Sequence, residues 1–304
     1  MAEASARGLS DREYVSIFWS NDWAHQRYFG WSIVDSAPGL RVLRKRRGPI
    51  SRYLVLVASR SLPLLSPAVS KARASSPLSD VIIHDFDGLY PQPPRFGGAQ
   101  FHLAAPGERL LNVATFVVDL ERSQDEWLAA MTADYRRKIR KAEASGVRVD
   151  VHERTSGAPI REFVGVYNAF AASRGIQRVN SATIAKMFEG RNATLLVSRR
   201  GDEILNYLLL YTAGAAALFM HGVSNTQAND GAGQYIHLQA MRHLKAKGVS
   251  WYDFGGVRAT GEENGIYTFK QRFGGSFVGL GEEHRCSGRF VRAAEYLMKA
   301  VRRG

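Results

Sequence analysis

The sequence predicts an α/β (α+β) protein of two tandem units, each a mixed central sheet covered by helices. Three observations lead there. The first half is strand-rich and punctuated by Gly and Pro, the apolar period turns helical at Ser123, and after a breaker at residues 155–159 helices and strands follow in a fixed layered order. At 304 residues the chain has enough length for two ordinary domains. They are expected at residues 12–157 and 158–304.

Residues 14–19 and 52–58 read as strands, and 80–86 and 112–120 continue that pattern with turn residues between them. From Ser123, an N-cap type, Trp127, Leu128, Met131, Tyr135 and Ile139 recur at helical spacing until Gly146. One helix is expected over that stretch, then a short strand at 147–151. The second unit opens with helices at 160–173 and 181–188. A meander of strands follows at 194–199, 204–211 and 216–222. Residues 236–247 form a helix with His237, Leu238, Met241 and Leu244 on its apolar side, and 251–255 a short strand entering a glycine pair. A helical turn at 267–273, a strand at 276–282 and a basic amphipathic helix at 290–303 close the chain. This order in the second unit is that of GNAT domains, with a ligand cleft expected where neighbouring strands diverge near the strand after the main helix. Two halves of similar size fit a diverged duplication that makes both units GNAT-like.

Composition narrows the function classes. The chain has 41 Lys and Arg against 28 Asp and Glu, a formal net charge of +13 spread over both halves, which points to a polyanionic partner such as nucleic acid or a phosphorylated ligand. A high-arginine proteome would give the same excess without one. A single cysteine excludes an internal disulfide and a thiolate metal site. No membrane span is expected, because charges interrupt every long apolar run, and the N-terminus lacks a secretory pattern, so the expected location is the cytoplasm. The eight histidines show no metal-ligand spacing. No P-loop, dinucleotide fingerprint or nucleophile elbow is present.

Three stretches carry a family resemblance. They are TFVVDL at 115–120 with YRRKIRKAEASGV at 135–147, KAKG at 245–248 leading to YDFGG at 252–256, and GIYTFKQRFGG at 265–275. A weaker fourth is SNDW at 20–23 followed by Arg27. In order and spacing these segments resemble the Fem-type transferases, GNAT-superfamily enzymes that pass an amino acid from aminoacyl-tRNA to an amine. The resemblance runs from about Ser20 to Gly275. It implies an aminoacyltransferase with aminoacyl-tRNA as co-substrate, no other cofactor and no metal. The implied acceptor is the amine of a small peptide or peptide-nucleotide, from antibiotic biosynthesis or a peptidoglycan precursor. A monomer is expected.

An aminoacyl ester is already activated, so such an enzyme must hold the amine against the carbonyl, handle a proton and stabilise an oxyanion. Lys270, between Phe269 and Phe273, is the candidate cation, and the resemblance points to the same lysine. A surface helix lysine beside two core phenylalanines fits the pattern equally. Asp253, ahead of Gly255 and Gly256, suits a proton acceptor or orienter; it also suits a carboxylate capping its own turn. The vicinal hydroxyl of the terminal tRNA adenosine would relay the proton without any protein base. His221, Tyr207 and Tyr211 either border the acceptor or fill the core. Arg136, Arg137, Arg140, Lys141 and Arg272 are candidate contacts for RNA or phosphate, although a basic run is usually a solvated face. Arg27 stands where the family commonly shows lysine, which keeps the charge and changes the donor geometry.

Two rival functions differ in class. An acyl-CoA-dependent N-acyltransferase on the same fold would need an anion-binding loop, for which NDGAG at 229–233 is the nearest stretch. Ala228 stands there in place of Arg or Gln, and Asp230 adds the wrong charge. A non-catalytic RNA-binding protein would use only the basic surface, and no RNA-reading signature is present.

Overall fold

The computed structural model describes residues 14, 16–17, 30–58, 61–75, 78–88, 90, 92–96, 98–105, 108–225, 230–257 and 265–287. The chain divides into two compact units. The first comprises Met1–Tyr28 with Thr115–Val278, and the second Phe29–Ala114 with Gly279–Gly304.

The second unit opens with β1 (Ser32–Ala37), β2 (Leu40–Arg47) and β3 (Ile50–Val57) as an antiparallel meander. Helix α1 (Leu62–Ala74) then crosses over to β4 (Ser79–Asp85), which runs parallel to β3 through seven register pairs. Short strands β5 (Arg95–Phe96), β6 (Ala99–Gln100) and β7 (His102–Leu103) follow, and β15 (Glu282–Ser287) returns to complete the sheet β1-β2-β3-β4-β15-β7. Val55, Val57, Val81 and Ile83 on the sheet pack against Leu65 and Val69 of α1.

The first unit holds β8 (Ala114–Asp119), α2 (Gln124–Ala130), α3 (Ala133–Ala144), β9 (Arg148–His152), α4 (Ala158–Arg174) and α5 (Ser181–Glu189). The meander β10 (Ala193–Arg200), β11 (Glu203–Ala213) and β12 (Ala216–Ser224) comes next, then α6 (Ala232–Ala246), β13 (Trp251–Val257), α7 (Gly265–Gln271) and β14 (Ser276–Gly279). Its sheet has the order β14-β8-β13-β12-β11-β10-β9. The breaker at 155–159 lies inside this unit, joining β9 to α4, because β9 pairs antiparallel with β10 as the sheet's outer strand.

Two expected elements are divided in the structure. The helix expected from Ser123 is two helices. A capping box of Ser123 and Glu126 starts α2, and Met131 and Thr132 are extended. At the break Thr132 N donates to the Arg272 carbonyl (3.1 Å), and Gly274 lies so close that a Cβ there would stand 2.3 Å from the Ala130 carbonyl oxygen. The 272–275 segment therefore takes the place of one helical turn. The strand expected at 276–282 is split between the two sheets. The break falls at Gly281, whose φ of +83° and tight approach to the Asp85 carbonyl leave no space for a side chain. The helix expected at 290–303 and most of the strand expected at 14–19 lie outside the described residues; Tyr14, Ser16 and Ile17 are in no strand. No described helix is long and apolar enough to cross a membrane.

Candidate active site

The site is set by how β12 and β13 pair. They run parallel through Ala216↔Trp251, Ala217↔Tyr252 and Leu218↔Asp253, and the register ends there. β12 continues to Ser224 along β11, with a bulge at Met220, since Leu209 faces His221 and Leu210 faces Phe219. Leu218 to Gly222 are all half-buried, on both faces of the strand, whereas residues in the middle of β11 are buried. Because the β12–β13 register ends at Leu218↔Asp253 while β12 continues along β11, the two strands part at this point.

Gly255 makes the departure possible. Its φ is +74°, and a Cβ there would lie 2.8 Å from the Phe219 carbonyl oxygen. A side chain would meet both a forbidden backbone conformation and a backbone atom. The Thr115 hydroxyl lies 2.9 Å from the Gly255 carbonyl oxygen, and both carbonyls of the bend are held by Lys270 of α7. Its Nζ donates to Gly255 O (2.7 Å) and Gly256 O (2.8 Å). Lys270 is 6 % exposed, and burial pulls its ammonium down to about 8 from 10.5, against the opposing pull of Asp253. An ammonium has three hydrogens. Two are committed here, and the third has no partner among the described residues.

Asp253, at the last β12–β13 pair, is buried and enclosed by donors. Tyr14 Oη donates to one oxygen (2.5 Å); the Thr115 hydroxyl and Gly255 N (2.7 Å) donate to the other. Burial raises its carboxyl above the ordinary value, opposed by the hydrogen bonds from Thr115, Tyr14 and Gly255 and by the Lys270 charge. With both oxygens filled, Asp253 fixes the turn at Gly255 and places negative charge near Lys270.

Behind these two residues lies an aromatic cluster centred on His237 of α6. The ring centroids of Phe219, Phe254, Phe269 and Phe273 lie 4.9, 5.3, 5.5 and 5.1 Å from the imidazole. His237 Nδ1 and the Tyr252 hydroxyl share a hydrogen bond of 2.6 Å. Burial first, and the Lys270 charge second, lower this imidazole to about 3, so it is neutral at any working pH.

The candidate residues separate into three groups. Lys270, Asp253, Gly255 and Gly256 come together where the strands part, with half-buried Phe269 and His221 nearby in the sequence of the same elements. His221 shares a hydrogen bond with Tyr167 Oη (3.1 Å), and burial lowers it to about 4. Phe273, Tyr207 and Tyr211 are core residues at 1 %, 3 % and 0 % exposure and offer a ligand no surface. Among the basic candidates, Arg136 caps α2, donating to the carbonyls of Leu128 (3.2 Å), Ala129 (3.3 Å) and Met131. Arg137 pairs with Asp134 (2.7 Å), while Arg140, Lys141 and Arg272 are exposed. Arg27 lies outside the described residues. Sequence reasoning missed Tyr14 and Thr115 as partners of Asp253. Thr115 opens one of the recognised segments, but no local signal pairs Tyr14 with a residue 239 positions away.

A strand meander, a crossover helix and a parallel strand that splays after three pairs define a GNAT fold. Residues 129–271 match the sequence model of the acetyltransferase (GNAT) domain. The crystal structure of FemX superposes with a TM-score of 0.66 at 15 % identity, over 87 % of this chain and 90 % of FemX. The L-PGS structure from Bacillus licheniformis gives a TM-score of 0.59 at 14 % identity, over 93 % of this chain and 92 % of that one. The C-terminal domain of a putative lysylphosphatidylglycerol synthetase from Agrobacterium fabrum gives 0.58 at 14 % identity, over 94 % and 93 %. No curated protein matches the sequence at the same level of significance.

Proposed function

We propose that this protein is an aminoacyltransferase that forms an amide bond by passing an amino acid from aminoacyl-tRNA to the amine of a small peptide or peptide-nucleotide. The observation that carries this is the placement of Lys270. A buried cation with one hydrogen uncommitted among the described residues stands where β12 and β13 part, and such a donor stabilises the charge that develops on an ester carbonyl oxygen under attack. The amine attacks the carbonyl carbon, a C–N bond forms, and the C–O bond to the ribose breaks. The vicinal ribose hydroxyl relays the proton from the amine to the departing oxygen, so no protein base is needed. Asp253 is a positioning residue in this scheme, because its oxygens are taken by Tyr14, Thr115 and Gly255. No metal and no other cofactor enters the scheme.

The fold likeness to FemX, to L-PGS and to a putative lysylphosphatidylglycerol synthetase is compatible with an aminoacyl donor. The start of α6 argues independently against an acetyl donor. An acyl-CoA enzyme needs free backbone amides at that helix start. Here Asp230 accepts from Ala232 N (3.1 Å) and pairs with Arg200 (2.6 Å), and Gly231 packs so tightly on α3 that a Cβ would stand 2.0 Å from the Lys138 carbonyl oxygen. A diphosphate at that end would meet a carboxylate and a neighbouring helix. Exposed Arg140, Lys141 and Arg272 in the same unit are the proposed RNA contacts. The test is incubation with a pool of radiolabelled aminoacyl-tRNA and peptide amines. Label should pass to an acceptor with the wild type and not with K270M; binding of acetyl-CoA in place of tRNA would reverse the assignment.

A further inference from the structure

The first unit has a pocket at the end of its sheet opposite the splay. It is a cavity of about 310 Å³ between the start of β10, the ends of β9 and β11 and the C-terminal end of α6. Glu153, Arg154, Arg191, Thr194, Thr212 and Lys247 are among its lining. Glu153 is already neutralised, by His243 (2.9 Å) and Lys247. The guanidinium groups of Arg154 and Arg191 have no ion pair or side-chain hydrogen bond among the described residues. Two threonine hydroxyls, one on the buried residue Thr194, complete a cluster of donors. The negative end of α6 also lies here, but its last carbonyls are occupied by the amides of residues 247–249.

Arg191 is held in a conformation that its side chain does not favour. Among the described residues it is the only one other than glycine with positive φ, at 58°. It occupies the left-handed position of a Schellman motif closing α5: its own N–H donates to Phe188 O (3.0 Å), and Asn192 N–H donates to Met187 O (3.1 Å). Glycine is the residue this position favours, and a glycine, Gly190, sits one place earlier with ordinary φ. A backbone that works against its own residue marks a side chain kept for what it contacts.

We propose that this pocket is a phosphate-binding site, with Arg154 and Arg191 as paired guanidinium forks and Lys247 and the threonine hydroxyls as further donors. Guanidinium forks match the oxygens of a phosphate mono- or diester. The source is either an RNA backbone or a small nucleotide. The inference does not depend on the transfer chemistry proposed above, and its test involves no transfer. Binding of deacylated tRNA, ATP and inorganic phosphate is measured for the wild type, R191G, R154A and R178A. R178A removes an exposed arginine of the same unit outside the pocket. R191G and R154A should each weaken binding of at least one probe roughly five- to tenfold, and for RNA should flatten the salt dependence by about one contact. R178A should stay within about twofold of the wild type. R191G should melt no lower than the wild type, because glycine suits its backbone. A loss with tRNA identifies a backbone phosphate, and a loss with ATP or phosphate alone identifies a small ligand; either supports the site. Wild-type binding of all three probes by R191G and R154A, or an equal loss in R178A, overturns it.

Discussion

Replacing Lys270 by methionine tests the electrostatics of the site without any knowledge of its substrate. In the folded protein Lys270 titrates at about 8, against 10.5 for the free side chain. Between those values the unfolded chain carries the proton that the folded chain has shed, so the unfolded state binds more protons and stability rises with pH. The shift corresponds to about 3 kcal/mol gained by the wild type between about pH 8 and about pH 10.5. K270M has no such group and should lack that gain. The variant leaves the Gly256 carbonyl without its Lys270 donor, at roughly 1–3 kcal/mol, while the Gly255 carbonyl keeps the Thr115 hydroxyl 2.9 Å away; it is also relieved of a buried charge worth about 3 kcal/mol, so it should stay folded. Urea unfolding of both proteins at a series of pH values gives the difference directly, and titrations common to the two cancel. A difference that stays flat across the window would show that Lys270 is not held against desolvation, and the reasoning about its placement would be refuted.

Three further outcomes follow from the same geometry. T115V removes a hydroxyl from Asp253 and should cost about 1–3 kcal/mol in urea unfolding, with turnover reduced through misplacement of Gly255 rather than abolished. G255A combines a disfavoured φ with a Cβ 2.8 Å from the Phe219 carbonyl oxygen, and should lose at least about 2 kcal/mol and most activity; wild-type melting would contradict the role given to that turn. His237 is lowered to about 3 from 6.5, so on acidification the unfolded chain takes the proton first. The wild type should then lose up to about 5 kcal/mol between about pH 6.5 and about pH 3, and H237F should show a shallower acid loss in the same titration.

Much of the first unit is legible in the sequence, because its helices and its meander each announce a period. The apolar stripe of α6 and the apolar runs of β10 to β12, separated by turns, give their elements within a few residues. The helix break at Met131 and Thr132 is not legible, because it is imposed by Gly274 and the Arg272 carbonyl, some 140 positions downstream in the chain. Helix α1 is hidden by Pro63 and Pro67, which read as breakers although one begins the helix and the other is tolerated within it. Strand β15 is hidden because its partners β4 and β7 lie about 200 residues earlier. In the site, the glycine pair and the FK segment point to Gly255, Gly256 and Lys270 from residue type alone. The same residue types make Tyr207, Tyr211 and Phe273 look available, and only burial shows that they are core. Asp253 is visible as a carboxylate at a turn, but its role depends on Tyr14 and Thr115, which are near it only in the fold.

The central claim is that an amino acid carried on tRNA is handed to an amine beside Lys270. Mixing the protein with radiolabelled aminoacyl-tRNA and candidate peptide amines, then separating label on RNA from label on peptide, tests it most directly. Wild-type protein should move label into an acid-stable amide, and K270M should do so roughly a hundredfold or more slowly while still binding tRNA. Label that stays on RNA with every acceptor, or that moves as fast with K270M, would contradict it.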